Sequence, residues 1–380
     1  MSPYGGVVQC EYFSAGLCRS CRLMGVPYQR QLADKQCIAA QTLRAVVPDL
    51  RWAEPFASAE SGYRNKAKWV VGGDKKNPTI GILDERREGI DLRRCGICEP
   101  ALIEAFPALV DFISQTGLVP YDINRRTGDI KYLIVTASPQ GGLLARFVLR
   151  SLDRLDDIRR CLPGLRSVLP QLAVASVNLH PEHKAVLEGD QETVLTEQST
   201  LLMRLGDVSL YLGPQSFFQT NTAVAAGLYQ QAAAWAARIA PTSVLDLYCG
   251  VGGFALHCAP ASARSIHGVE VSADAVSGAR RSAAGRPDPD RFTFDADDAA
   301  NGQLDADLVI VNPPRRGLGA PLADRIDNGA ARHVIYSSCN PATLAADLAR
   351  MPSLRAVQAR LFDMFPQTTH VEVAVLLERR

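Results

Sequence analysis

The spacing of hydrophobic positions changes along the chain and divides it into three stretches. Residues 28–45 set Leu32, Ile38 and Leu43 among Gln, Lys and Ala with no Gly or Pro, which predicts a helix. Residues 52–56, interrupted by Pro55, read as a link into a new unit. From 62 to 71, Arg64, Lys66 and Lys68 alternate with Tyr63, Asn65, Ala67 and Trp69, so a strand there carries three cations on one face and rings on the other. Such a stripe suits phosphate contact, and it equally suits a solvated strand face. Strand-like runs follow at 79–83, 130–137, 143–149, 174–179 and 185–188, with helical stretches at 101–114 and 155–162, predicting a β-rich α+β unit. After an Ala-rich helix that ends near 239, strands (244–247, 265–270, 291–294, 307–312, 332–336) alternate with helices at 272–284, 321–329 and 341–350, and strands at 354–362 and 370–378 close the chain. That alternation predicts an α/β, doubly wound, Rossmann-like sheet. The expected division is an N-terminal segment at 1–57 whose helix packs on the last unit, a central β-rich unit at 58–210, and a doubly wound unit at 211–380.

The last unit is organised around Val-Leu-Asp-Leu-Tyr-Cys-Gly-Val-Gly-Gly-Phe-Ala-Leu at 244–256. A strand ends at Asp246 and Leu247, three glycines follow (Gly250, Gly252, Gly253), and an apolar helix opens. Glycines there permit positive φ and close ligand approach, and a helix N-terminus offers free N–H groups, which together outline a nucleotide pocket. Glu270 ends the next apolar run about 20 residues past the first glycine, where an acid takes both ribose hydroxyls. A dinucleotide fold shares that feature; the acid at Asp246 in the lead-in fits the S-adenosylmethionine (SAM) version. Upstream, residues 211–221 are dense in amides and rings. Gln219 and Asn221 can hydrogen-bond a polar ligand and Phe217 or Phe218 can cover a flat one, although a helix-capping Asn with core phenylalanines gives the same pattern.

Ligands of such sheets lie beyond the carboxyl ends of the strands, and three further motifs fall there. In 309–317 an apolar strand stops at Asn312, and the two following prolines hold its carboxamide at the rim. In 334–341 a buried strand delivers Cys339 just before a helix whose N-terminus would lower the thiol pKa, making it a nucleophile candidate beside the plainer reading of an inert core cysteine. In 368–375 Glu372 falls inside an apolar strand, and a buried Glu calls for a role as partner or base.

Composition narrows the classes. With 380 residues and 47% hydrophobic content the chain can bury a large core. No apolar run approaches the roughly 20 residues of a membrane span, and the start lacks the pattern of an export signal, so a cytoplasmic protein with no membrane partner is expected. A net charge of +1 means that nucleic-acid contact must come from a local patch. Of 10 cysteines, Cys10, Cys18 and Cys21 follow C-x7-C-x2-C, and Cys95 and Cys98 form a second group. In a reducing compartment such groups favour metal over disulfide, and three thiolates plus a fourth suit zinc or a [4Fe-4S] cluster alike. His180, His183 and His333 lack a partner at metal-binding spacing and are expected as ordinary surface or core residues.

Taken together, Gln-Ser-Phe-Phe-Gln-Thr-Asn (215–221), Asp-Leu-Tyr-Cys-Gly-Val-Gly-Gly-Phe (246–254), Asn-Pro-Pro-Arg-Arg-Gly (312–317), Ser-Ser-Cys-Asn (337–340) and His-Val-Glu (370–372) resemble, in order and spacing, the RNA uracil-C5 methyltransferases. The resemblance implies Cys339 as nucleophile, Glu372 as general base, and Gln219, Tyr248, Glu270 and Asn312 as the SAM pocket. With the N-terminal cysteines it spans nearly the whole chain, and it implies Cys10, Cys18, Cys21 and Cys95 as [4Fe-4S] ligands, with Cys98 the substitute for Cys95. Having the cysteines and starting directly at them, without a TRAM barrel, the chain looks most like the branch acting on uracil-747 of 23S rRNA. Many relatives carry Asp at the position of Asn312 and Phe at that of Tyr248. The expected substrate is an unpaired or flipped uridine, met by a monomer. Another rRNA or tRNA uracil is the alternative substrate; a SAM-binding RNA chaperone and a cluster-bearing, nucleotide-dependent oxidoreductase are alternatives of other classes.

Overall fold

The computed structural model describes residues 8–184, 186–301 and 304–380. Residues 1–7 of the expected N-terminal segment, and Ala185 of the strand expected at 185–188, lie outside them. In chain order the elements are α1 (Glu11–Ser14), α2 (Tyr28–Arg44), β1 (Arg51–Trp52), β2 (Lys66–Gly73), β3 (Pro78–Leu83), β4 (Gly89–Asp91), α3 (Pro100–Gln115), β5 (Ile130–Ala137), β6 (Leu143–Leu149), α4 (Leu155–Val168), β7 (Leu172–Leu179), β8 (Gln191–Val194), β9 (Leu201–Leu205) and β10 (Val208–Leu212). They continue with α5 (Thr222–Ile239), β11 (Ser243–Leu247), α6 (Gly253–His257), β12 (Ser265–Glu270), α7 (Ala273–Ala284), β13 (Phe292–Ala296), β14 (Leu308–Val311), α8 (Ala320–Asn328), β15 (His333–Ser338), α9 (Pro341–Ala349), β16 (Leu354–Phe362) and β17 (Glu372–Arg379).

Seven strands form a sheet in the order β4-β3-β2-β5-β6-β7-β8, antiparallel except where α4 carries the chain from β6 to a parallel β7. Helices α3 and α4 cover one face: Phe106, Phe112 and Leu162 pack against Leu133, Phe147 and Val177. Burying each such side chain contributes roughly 1.5–3 kcal/mol.

The second sheet has eight strands in the order β1-β16-β17-β15-β14-β11-β12-β13. The five from β13 to β15 are parallel and β17 runs against its neighbours β15 and β16. Side chains of β14 go alternately to two cores, Ile310 to the one under α5 and α7, Val309 and Val311 to the one under α2, α8 and α9. Burial on both faces is why this strand reads as an unbroken apolar run. Helix α2 buries Leu32, Ala39 and Leu43 in the second core, while Ile38 is 61% exposed and Lys35 takes a place on the buried face.

Residues 51–52 form more than a link: they add β1 as a parallel edge strand beside β16, and Phe56 bridges to Phe362. Two residues are too few for a period. The last strand of the first sheet lies at Gln191–Val194, so the strand expected at 185–188 is displaced. A hairpin not expected from the sequence pattern, β9 and β10, turns at Gly206 (φ 58°) and packs its inward Leu201, Met203, Leu210 and Leu212 into the core under α7. No described helix is long and apolar enough to cross a membrane.

Candidate active site

Strand order reverses between β11 and β14, and a ligand crevice is expected beyond the carboxyl ends of the strands at such a point. A cleft of about 870 Å³ opens there. The chain enters its wall after β11 at Gly250, at the last residue of β12, Glu270, after β14 at Asn312 and after β15 at Cys339. Because β17 is antiparallel, its first residue, Glu372, meets the same rim. Gln219 and Tyr248 also line the cleft, so the six predicted catalytic and SAM-binding residues share one cavity.

Glu372 is 2% exposed, and burial pushes its carboxyl up to about 7. Two neighbours work against that shift by favouring the charged form: the Ser337 hydroxyl and the Asn312 amide both donate to Oε1, the latter at 3.1 Å. Asn312 spends its other amide hydrogen on the Ser337 carbonyl at 3.0 Å. Among the described residues no hydrogen bond reaches Oε2, which is therefore the oxygen left for an external proton. An Asp in place of Asn312 would set a second carboxylate against this one and lose the donor.

Cys339 is a half-buried free thiol. The expected lowering of its pKa by the next helix is not found: burial raises it, the Glu372 charge raises it further, and only Arg315 and a backbone hydrogen bond oppose. Helix α9 starts on Pro341, which has no N–H, and the Asn340 side chain accepts the Ala342 N–H at 3.1 Å, so neither of these first two positions offers the thiol a donor.

At the other end of the cleft the Glu270 carboxylate accepts from the Gly250 N–H (3.2 Å) and the Ser272 N–H (2.9 Å), which fixes it across the glycine turn. Gly250 has φ 54°, and a Cβ added there would meet nothing within 4 Å, a cradle left open to the cleft. Tyr248 sits in the left-handed region at φ 62°, a strained conformation for an aromatic residue and one that clusters at functional sites. Asp246 does not line the cleft: fully buried, it accepts from the Ala255 N–H at 2.8 Å and so holds the turn in place. The two phenylalanines separate, Phe217 lying 66% exposed in the cleft wall and Phe218 in the core. Asn221 is the cap of α5, accepting from Val224 and donating to Ser58.

The N-terminal cysteines come close to the pair at 95 and 98. Burial and the charges of Cys95, Cys18 and Cys10 push the Cys21 thiol up to about 12, and Cys21 also lines the cleft. Cys98 is buried, and its interaction with Cys95 pushes the Cys98 thiol up and the Cys95 thiol down. Among the described residues no three Cys, His, Asp or Glu side chains converge tightly enough for one metal ion.

The basic stripe is only partly a surface. Strand β2 begins at Lys66, whose ammonium is buried, lowered to about 8 by desolvation, and points at the Ser216 carbonyl (3.4 Å). Arg64 precedes the strand and lines the cleft, and of the three cations only Lys68 is exposed. His180 is buried against the Val186 carbonyl and His183 meets Tyr121, ordinary structural partners. Ser337 and Arg315 belong to the site without having stood out in the sequence; a serine inside an otherwise apolar strand is the available signal for the first.

The tRNA (uracil-5-)-methyltransferase family model matches residues 294–380, and the methyltransferase small domain matches residues 232–334. The chain is 44% identical, over 98% of its length and all of the relative's, to the 23S rRNA (uracil(747)-C(5))-methyltransferase RlmC of Halothiobacillus neapolitanus. It is 42% identical, over the same shares, to the RlmC of Escherichia coli O1:K1. The solved structure of Pyrococcus abyssi tRNA (uracil-54, C5)-methyltransferase in complex with S-adenosyl-L-homocysteine superposes with a TM-score of 0.76 at 24% identity, covering 95% of this chain and 84% of that one. At that identity the likeness concerns the fold.

Proposed function

The chain belongs to the RNA (uracil-C5)-methyltransferase family, and on that premise we propose that it methylates C5 of a uracil in 23S rRNA, the base its relatives' names give as 747. The observation that carries the reading is a thiol and a buried carboxyl from different strands on one cleft that also holds the glycine turn. The test is direct. Incubated with the enzyme and methyl-labelled SAM, 23S rRNA should gain one 5-methyluridine at that position by mass spectrometry. Label at another position, or none, overturns the substrate.

The residues of the glycine end fit SAM: Glu270 would hold the ribose hydroxyls, with Gln219, Tyr248 and Asn312 completing the pocket. When bound, SAM supplies an electrophilic methyl group. Uracil C5 is too weak a carbon nucleophile to take it unaided. The Cys339 thiolate therefore adds to C6, forming an S–C6 bond and moving the C5–C6 π pair onto C5 and O4. Once C5 is methylated it still carries its hydrogen. Glu372 removes that proton through Oε2, the C–H pair restores the C5–C6 double bond, and the thiolate leaves.

Both groups set the pH response. Glu372 must be ionised to act as base, so activity rises with pH through about 7, and the raised Cys339 thiol extends that rise to higher pH. Ser337 donates to the carboxylate, so Ser337→Ala is expected to move the acid limb of the kcat profile upward by about one unit, losing roughly tenfold at pH 6 and little at pH 9. An unshifted profile would show that the hydroxyl does not tune the base.

Cys10, Cys18, Cys21 and Cys95 are proposed to hold a [4Fe-4S] cluster. The four thiols lie in mutual electrostatic reach, and four sulfurs are the set that such a cluster takes. Polar methyl transfer makes no use of its electrons, so the role assigned is structural. Anaerobically purified protein should be brown with about four iron atoms per chain; a colourless zinc protein overturns the assignment.

A further inference from the structure

The segment just after Cys21 is joined to the wall of the cleft around Gln367. Gln31 on α2 is 1% exposed, and its Nε2 donates to Gln367 Oε1 (2.9 Å) and to the Val26 and Leu23 carbonyls (2.8 and 3.3 Å). Its Oε1 accepts the Gln367 backbone N–H at 3.0 Å, and the Gln367 carbonyl accepts the Leu23 N–H at 2.9 Å. Gln367, equally buried, is thus held by backbone and side chain together, and it is held in the left-handed region at φ 65°. An L residue persists there only where its surroundings over-determine it. Lys35 supports the same stretch from α2, donating to Asp363 Oδ1 (2.6 Å) and the Phe365 carbonyl (3.0 Å). The stretch so held, 363–371, joins β16 to β17; Phe365, Thr368 and His370 within it line the cleft and Glu372 follows.

We propose that the Gln31–Gln367 pair is a latch through which the cysteine segment sets the uracil end of the cleft, making both glutamines positioning residues for the bound uracil by way of Phe365, Thr368 and His370. The inference rests on the methyltransferase reading above. The SAM end is built on other connections, the Glu270 bonds to Gly250 and Ser272, so the latch acts on one ligand only. The cysteine segment thereby gains a mechanical role, because whatever orders Cys21 orders Leu23, and through it Gln367.

The test uses full-length protein with wild type as control, since a wild type that makes no 5-methyluridine refutes the parent reading and not the latch. For Gln31→Ala, metal content and S-adenosylhomocysteine affinity by calorimetry should match wild type, while single-turnover methyl transfer to 23S rRNA falls at least tenfold. Wild-type methyl transfer overturns the latch. Should Gln31→Ala also lose S-adenosylhomocysteine binding, the fold has been undone and Gln367→Gly decides. Glycine keeps φ near 65° and both main-chain bonds while removing the side-chain half of the latch and, with it, the Gln367 Nε2 bond to Glu60 (3.1 Å). A loss of about threefold or more in methyl transfer with unchanged S-adenosylhomocysteine affinity upholds the proposal, and no loss ends it.

Discussion

Replacing Cys339 by Ala is expected to abolish methyl transfer, with a loss on the order of 10⁴-fold or more, while S-adenosylhomocysteine binding stays at the wild-type level. The split follows from where the thiol sits. It lies beyond β15, at the end of the cleft that Glu372 shares, and the glycine turn and Glu270 are held by bonds that do not involve it. Without a sulfur to add at C6, no electron pair reaches C5, and the variant should form no covalent species with RNA on a denaturing gel. Cys339→Ser should be nearly as inactive, because a hydroxyl in the same half-buried place holds its proton far more tightly than a thiol already raised by burial. Methylation at the normal rate by Cys339→Ala would remove the nucleophile from the mechanism.

The second half of the chain is legible because each of its strands repeats one physical situation. A parallel strand buried on both faces writes an apolar run, and the residues directly after that run must serve the rim, so Gly250, Glu270, Asn312 and Cys339 announce themselves by position. Glu372 is visible for the opposite reason, as a charge inside an apolar strand. Features set by tertiary context are not visible. Lys66 reads as a surface cation until the loop at Ser216 closes over it. Lys35 occupies the buried face of α2 because Asp363, far along the chain, is there to receive it, while Ile38 on the same helix is 61% exposed. The direction of the thiol pKa is set by burial and by the Glu372 charge, and the latter reaches Cys339 only once β17 is folded beside β15.

Glu372→Gln should stall the reaction after methyl transfer and, unusually for an active-site change, stabilise the fold. Gln keeps an oxygen to accept from Ser337 and Asn312, so uracil should still bind and Cys339 should still add. The C5 proton then has no acceptor, the S–C6 bond cannot be released, and a protein–RNA adduct should accumulate on a denaturing gel as turnover falls about 10²–10⁴-fold. The stability change follows from the same burial. The carboxyl titrates near 7 in the folded chain against an ordinary value of 4.5, so between those pH values the folded state holds a proton that the unfolded state has released. Stability from this group is therefore present in full below 4.5 and is lost as pH rises to about 7, by roughly 3 kcal/mol in all. Gln carries no such proton. The variant should gain on wild type across that window and stay ahead by about 3 kcal/mol above it, measured by denaturant unfolding at pH 4.5 and pH 8. Clean turnover would remove Glu372 as the base, and equal unfolding midpoints at pH 8 would mean that the ionised carboxylate is no burden to the fold.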